Sequence, residues 1–345
     1  MRIYEYIIRR SVLLVFVLVG VSLITFYLSR GIPSAFNPCA PYINPKMTPA
    51  VIHNTCASHG FYQPLYLQYF YWIRDVLSGN WGNAGTWANG LPVYGVFASR
   101  FPYTVELALA AVIISVVVGL PLGILSAVHN NKPIDHASRI VALTGISTPV
   151  YWFGFVLQLV FFYYFLQWGL PNLPNQGAVS IGAPKIQSYT GLPIIDGLLN
   201  GNLSYAWDAF LHVILPSITL AFASLGALTR LVRASMLEVL RQDYITLARS
   251  KGLSERVVVF RHALRNALIP ALTVAGLLFA GLLGGAVITE TVFNWPGVGS
   301  LSVTAVLQGD SNFVMLYTLV TALIVVVANL IVDVLYAVVD PRIRY

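Results

Sequence analysis

Apolar residues along this chain gather into long runs instead of alternating, and the runs exceed what the core of a soluble domain needs. A helix takes about 20 mostly apolar residues to cross roughly 30 Å of hydrocarbon while satisfying its own backbone hydrogen bonds. Six stretches meet that demand: 11–28, about 103–128, 140–166, 211–229, 268–289 and 314–332. The first three carry no charge near their centres, and the fourth is short. The fifth is rich in glycine (Gly276, Gly281, Gly284, Gly285), which lets neighbouring helices approach closely. Pro216 and Pro270 fall near the ends of spans four and five, where a helix tolerates a lost donor. The pattern predicts an all-α integral membrane protein with six transmembrane helices. Arg9-Arg10 before an apolar run resembles a secretory signal, but the run outlasts the usual signal core of about 7–15 residues. Tyr27-Leu28-Ser29-Arg30 also offers no small-x-small cleavage site, so the run reads as the first span.

Between the runs, residues 29–102 form a loop too long to be a turn. Its aromatic middle, 65–77, places Leu65, Tyr69, Trp72, Ile73 and Val76 on one helical face. Such a stripe fits a helix lying in the membrane interface; packing on other parts of the same chain is the competing reading. Cys39 and Cys56 share this loop, where an oxidising location favours a disulfide over two free thiols. The loop 169–210, with Pro171, Pro174, Pro184 and Pro193, is expected to be irregular.

Composition narrows the class: 345 residues, 57% hydrophobic and 10% charged, against about 25% charge in a soluble domain. Disorder is excluded by the shortage of charge, and a disulfide scaffold by having two cysteines. The net charge of +7 would point to nucleic acid in a soluble protein. Here the basic residues sort by side instead. With the amino terminus inside, the outer face keeps Arg30, Lys46, Arg74, Arg100 and Lys185, and the rest of the 20 lie inside although the outer loops are longer. The positive-inside rule then puts both termini in the cytoplasm and the long first loop outside, with no nucleic-acid partner implied. Two segments follow: 1–102, the first span and its long loop, and 103–345, a core of five spans.

The most informative region is the cytoplasmic connection 230–266, which holds Arg230, Arg233, Arg241, Arg249, Lys251, Arg256, Arg261 and Arg265. Asp243 is placed to N-cap a short helix 244–251. Gly252 suits the left-handed C′ position, with Leu253 at C″ over Ala248. Ser254 is placed to cap a second helix with Glu255 in its first turn, although Val257 denies it a capping box. A helix, turn, helix hairpin of this length exceeds what joining two spans requires, and its exposed side chains call for a cytosolic partner.

These residues are similar to those of a known family. Asp243-Tyr244-Ile245-Thr246-Leu247-Ala248-Arg249-Ser250-Lys251-Gly252-Leu253-Ser254-Glu255-Arg256, continuing to Pro270, resembles the "EAA" loop of ABC importer permeases of the dipeptide/oligopeptide/nickel type. The likeness extends to Gln63-Pro64-Leu65, Val105-Glu106-Leu107-Ala108, His212-Val213-Ile214-Leu215-Pro216, Glu290 through Gly299, and Asp340-Pro341-Arg342-Ile343-Arg344-Tyr345. Thr246 and Leu247 depart from the Glu-Ala of the broader motif. Arg30-Gly31-Ile32-Pro33 and Ser311-Asn312-Phe313 depart from the family's usual turns. The resemblance implies a permease subunit of the cell membrane, multi-pass and non-catalytic. It would pair with a second homologous permease, two ABC ATPase subunits that use ATP and Mg, and an extracytoplasmic substrate-binding protein. The hairpin would be the coupling element, with Asp243, Tyr244, Thr246, Ala248, Arg249, Gly252, Ser254 and Glu255 at the ATPase contact. The cargo implied is a di- or oligopeptide, with an oligosaccharide as the alternative.

No Gly-x-x-x-x-Gly-Lys-Ser/Thr loop occurs, so the chain does not hold ATP by that route. Six scattered histidines form no metal-ligand pattern, and no cofactor or metal is expected on this chain. The rival class is an ion-gradient-driven secondary transporter or channel. Such proteins place ionisable groups at the membrane midplane, whereas Glu106, Glu290 and Asp333 fall toward span ends.

Overall fold

The computed structural model describes residues 3–31, 38–39, 42–43 and 46–339. Ile32, Pro33, Pro41, Pro45 and the closing motif Asp340 to Tyr345 lie outside the described residues. Among those described, the chain is helical: α1 (Ile3–Gly31), α2 (Pro49–Ser58), α3 (Leu65–Leu77), α4 (Val93–Val128), α5 (Pro133–Ser147), α6 (Val150–Gln158), α7 (Phe165–Gln167), α8 (Pro193–Leu199), α9 (Leu203–Leu240), α10 (Asp243–Ser250), α11 (Glu255–Val257), α12 (Leu264–Gly285), α13 (Val287–Val292), α14 (Val298–Leu307) and α15 (Ser311–Val339). Two π-helical segments, Leu159–Tyr164 and Val258–Ala263, join α6 to α7 and α11 to α12. Among the described residues, five helices are long and apolar enough to cross a membrane, or six when the bent pair Glu255–Leu268 and Thr273–Leu283, meeting at 51°, counts as one.

Several expected boundaries move, each for a local reason. The third apolar run is broken, because Thr148 precedes Pro149 and is held extended at φ −84° and ψ 128°. The fourth is not short: α9 runs 38 residues, from an Asn202 cap whose side chain accepts from the Tyr205 amide (3.0 Å) to Leu240. Hydropathy ends at Arg230, but the helix continues because Val232 and Met236 are buried against α4. Pro216 therefore lies inside a helix and not near its end. Helix α4 starts at Val93, so Pro102 and Pro121 are both internal, Glu106 is well inside the helix, and the 102/103 boundary falls within it. The 169–210 loop is irregular only in part, containing α8 and the start of α9.

The core is built on α4 and α9, with α5, α6, α8 and α12 packed on α9, and α15 on α12 and α1. Backbone proximity sets this geometry. A Cβ on Gly123 would meet Val232 and the Thr229 carbonyl at 2.7–2.8 Å, and one on Gly226 would strike the Ala142 carbonyl of α5. The aromatic stripe of α3 packs within the chain: Tyr69 Oη lies 2.8 Å from Ser22 Oγ, and the Tyr69 and Trp72 rings stand 5.3 and 5.4 Å from Phe26. The opposite face of α3 exposes Tyr66, Phe70 and Leu77. In the same loop, Cys39 and Cys56 are both buried with their Cα atoms 5.6 Å apart and sulfurs within bonding distance.

Candidate functional site

The region singled out by sequence forms one end of the α4/α9 pair. Helix α10 is an eight-residue element whose N-cap is Gln242, at φ −73° and ψ 148°, so Asp243 occupies the first helical position and not the cap. An acidic residue is still favoured there by the helix dipole. The helix closes on a Schellman motif. Gly252 takes φ +77°, its amide donates to the Arg249 carbonyl at 2.9 Å, and the Leu253 amide donates to that of Ala248 at 3.4 Å. Ser254 stands at the next N-cap, but its hydroxyl makes no capping bond. The second arm is also not an independent helix, since α11 runs through the π segment into α12.

Burial divides α10 into two faces. Ile245 and Ala248 are buried with Ile124, Val232, Met236, Val258 and Ala263, which roots the helix in its own chain. Ala248 faces the same core as Ile245, three residues earlier on the helix. The other face exposes Asp243, Tyr244, Thr246, Leu247, Arg249 and, beyond the turn, Gly252, Leu253, Ser254 and Glu255. Arg249 donates to Glu255 Oε1 from Nε (2.8 Å) and to Oε2 from Nη2 (3.3 Å), bridging the turn. Both groups are solvated, so the pair adds at most about 1 kcal/mol. The Tyr244 hydroxyl accepts from Asn266 Nδ2 at 2.8 Å. A Cβ on Gly252 would meet nothing within 4 Å, so the turn itself is open on its outer side.

The neighbouring turn between α4 and α5 is locked by a group the sequence did not single out. Asp135 is fully buried and accepts from Arg233 Nε (2.8 Å) and Nη2 (3.0 Å), Ser126 Oγ (2.6 Å) and the Asn131 amide (2.9 Å). The Arg233 guanidinium, with those further donors, holds its carboxyl far below the usual carboxylate range against the cost of burial. Three elements that meet beside α10 are thereby tied together. At the opposite end, Glu290 is buried with Oε1 accepting from Thr104 Oγ1 (2.7 Å) and Oε2 from the Ser300 amide (2.8 Å), which fixes the loop after α13 onto α4. Asp196 of α8 gathers the 188–191 turn through Ser188, Tyr189, Thr190 and Gly191. The sequence marked this loop only as irregular and did not single out Asp196 as its anchor. Among the described residues no cluster of His, Cys, Asp or Glu is arranged to hold a metal.

Comparison with known proteins places this architecture. Residues 119–345 match the family model described as binding-protein-dependent transport system inner membrane component, and residues 3–108 match its N-terminal companion. A probable D,D-dipeptide transport system permease of Escherichia coli K12 is 42% identical over 96% of this chain and 94% of its own length. An oligopeptide transport system permease of Bacillus subtilis 168 is 35% identical over 99% of each chain. A di/tripeptide transport system permease of Pseudomonas aeruginosa UCBPP-PA14 is 39% identical over 99% of each. Among solved structures, an amino acid ABC transporter with histidines aligns at a TM-score of 0.47 and 17% identity, covering 72% of this chain and 95% of that one.

Proposed function

This chain belongs to the inner membrane components of binding-protein-dependent transport systems, and from that premise we propose that it is the peptide-translocating permease of an ATP-driven importer. Its relatives carry dipeptides, tripeptides or oligopeptides by name. A short peptide is accordingly the cargo proposed here, ahead of an oligosaccharide. The remaining subunits proposed are a second homologous permease, two ATPase subunits using ATP and Mg, and a binding protein on the outer side. Both termini and α10 face the cytoplasm in this reading, and the loop carrying Cys39 and Cys56, bonded to each other, faces outside.

The observation that carries the coupling role is the division of α10 into a rooted face, Ile245 and Ala248, and an exposed face, Tyr244 and Leu247, extended beyond the turn by Leu253. A helix fixed to the core on one side and closed by a rigid turn passes a push from a docked ATPase into α9 and α12 without absorbing it. The reading is tested with the complex in sealed vesicles. Uptake of labelled di- and oligopeptides should require binding protein and ATP, and should persist when ion gradients are collapsed. Uptake that survives ATP depletion and stops with an ionophore would refute it, and selective uptake of oligosaccharides would replace the cargo.

A further inference from the structure

Helices α5 and α9 run antiparallel at close quarters: a Cβ on Gly145 would strike the Phe222 carbonyl, and one on Gly226 the Ala142 carbonyl. One turn further, the same register brings Arg139 level with Arg230. There the pair parts around a cavity of about 230 Å³, lined by Ala142, Leu143, Thr229, Arg139, Arg230 and Arg233 among others. Its surface is almost wholly apolar, so the arginines line it with their methylene stems and hold their guanidiniums at the rim. The charges at that rim do not balance. Asp135 is spent on Arg233 through bonds of 2.8 and 3.0 Å. Arg139 stands half-exposed with its Nε 3.5 Å from the same carboxylate and unbonded, and its Nη2 meets the His136 Nδ1 at 2.8 Å. Arg230 is exposed and makes no hydrogen bond or ion pair with any described residue. Three guanidiniums facing one carboxylate leave two positive charges, both open to solvent, at the mouth of an apolar slot.

We propose that this groove seats an anionic phospholipid, with Arg230 as the headgroup anchor, Arg139 beside it and an acyl chain in the slot between α5 and α9. The fold supplies both halves of such a ligand in the right order. Beyond Arg139, the exposed side chains of Leu143 and Ile146 continue along α5 toward its end at Thr148, an apolar track that leads away from the charges. A guanidinium forks onto phosphate oxygens, and basic pockets between membrane helices are where anionic headgroups settle. A free oxyanion would satisfy the rim and leave the slot unfilled. An apolar helix of another subunit would fill the slot but bury Arg230 without a counter-ion, which is costly. The proposal rests on the membrane-permease reading and is independent of the cargo.

The test is native mass spectrometry of the detergent-purified complex, stripped of lipid and titrated with dioleoylphosphatidylglycerol, dioleoylphosphatidylcholine or inorganic phosphate. The wild type should retain one phosphatidylglycerol with at least ten-fold preference over phosphatidylcholine. Arg230→Gln, which breaks no contact with a described residue, should cut that occupancy at least ten-fold. Leu143→Trp, which narrows the slot and keeps both guanidiniums, should cut it several-fold, and Lys185→Gln should leave it unchanged. Unchanged occupancy in Arg230→Gln or in Leu143→Trp, equal retention of the two lipids, or an equal loss in Lys185→Gln overturns the proposal. Should one of the two groove variants fail to fold, the other decides. Displacement by millimolar phosphate would assign the rim to a free oxyanion, and dissociation of a second permease from lipid-free Arg230→Gln would assign the groove to that subunit; either result also overturns the lipid. Peptide-stimulated ATPase activity of the same preparations reports on the permease reading separately, since lipid binding requires neither cargo nor ATP.

Discussion

At the scale of single residues, Gly252 and Asp135 make the sharpest claims. Gly252 holds φ +77° with open space where a Cβ would go, so Gly252→Val introduces backbone strain of about 1–2 kcal/mol and no clash. Gly169, at φ +65° with equally open surroundings, gives a matched control in a different place. Gly252→Val should lower peptide-stimulated ATP hydrolysis and uptake together several-fold in reconstituted vesicles, whereas Gly169→Val should leave their coupling intact. Wild-type transport by the Gly252 variant would remove α10 from the transmission path. For Asp135, removing the charge leaves Arg233 part-buried beside an uncharged amide. Asp135→Asn should then cost about 3 kcal/mol, the low end for a broken buried pair because Arg233 keeps some solvent contact. The folded carboxyl titrates below its unfolded value near 3.9, so its stabilisation is complete above that pH and is lost only as pH falls through the folded value. Thermal melts of the complex should show the deficit of Asp135→Asn unchanged from pH 8 to pH 5. Gly252 was legible because a left-handed C′ position leaves few residue choices. Asp135 was not, since its partner Arg233 lies 98 residues away.

At the scale of elements, α10 makes a paired prediction from its two faces. Leu247→Asp alters only the exposed face, and should weaken ATPase association in pull-downs while leaving the melting temperature of the chain unchanged. Ile245→Ala opens the core beneath and should cost about 2–5 kcal/mol. If the Leu247 variant retained its ATPase and the coupled activity, the docking face would have to be sought elsewhere. Apolar runs located the spans because hydrocarbon thickness sets their length. Helix ends were less legible, because a helix stops where its caps or packing stop and not where hydropathy does. Thus α9 outruns its apolar stretch on the packing of Val232 and Met236, while α5 stops inside an apolar stretch at Thr148. Tyr244 and Leu247 share α10 with the apolar Ile245 and Ala248, and the sequence alone did not declare which of the four faced inward.

At the scale of the whole molecule, the uneven distribution of lysine and arginine predicts sidedness. In sealed right-side-out vesicles, a cysteine at Gly252 should resist a membrane-impermeant maleimide from outside and react after permeabilisation. Non-reduced peptide mapping of the same material should return Cys39 linked to Cys56. Labelling of the Gly252→Cys variant from outside would invert the topology, and free thiols in material kept from reductant would refute the link. Helix α9 runs from the Asn202 cap near the outer-loop anchors to the edge of α10, and at Gly226 it passes so close to the Ala142 carbonyl of α5 that no Cβ fits. That crossing divides it into arms of about 35 Å and 21 Å at 1.5 Å per residue. A rod pivoting there is a lever with a gain of about 1.6, so a 2 Å stroke delivered beside α10 emerges as roughly 3 Å at the far end. Pro216 sits in the longer arm, where compliance blunts the output without softening the input. In the coupling role proposed above the glycine would be the fulcrum, and a side chain large enough to shift it would change the gearing of the machine while leaving both of its ends intact.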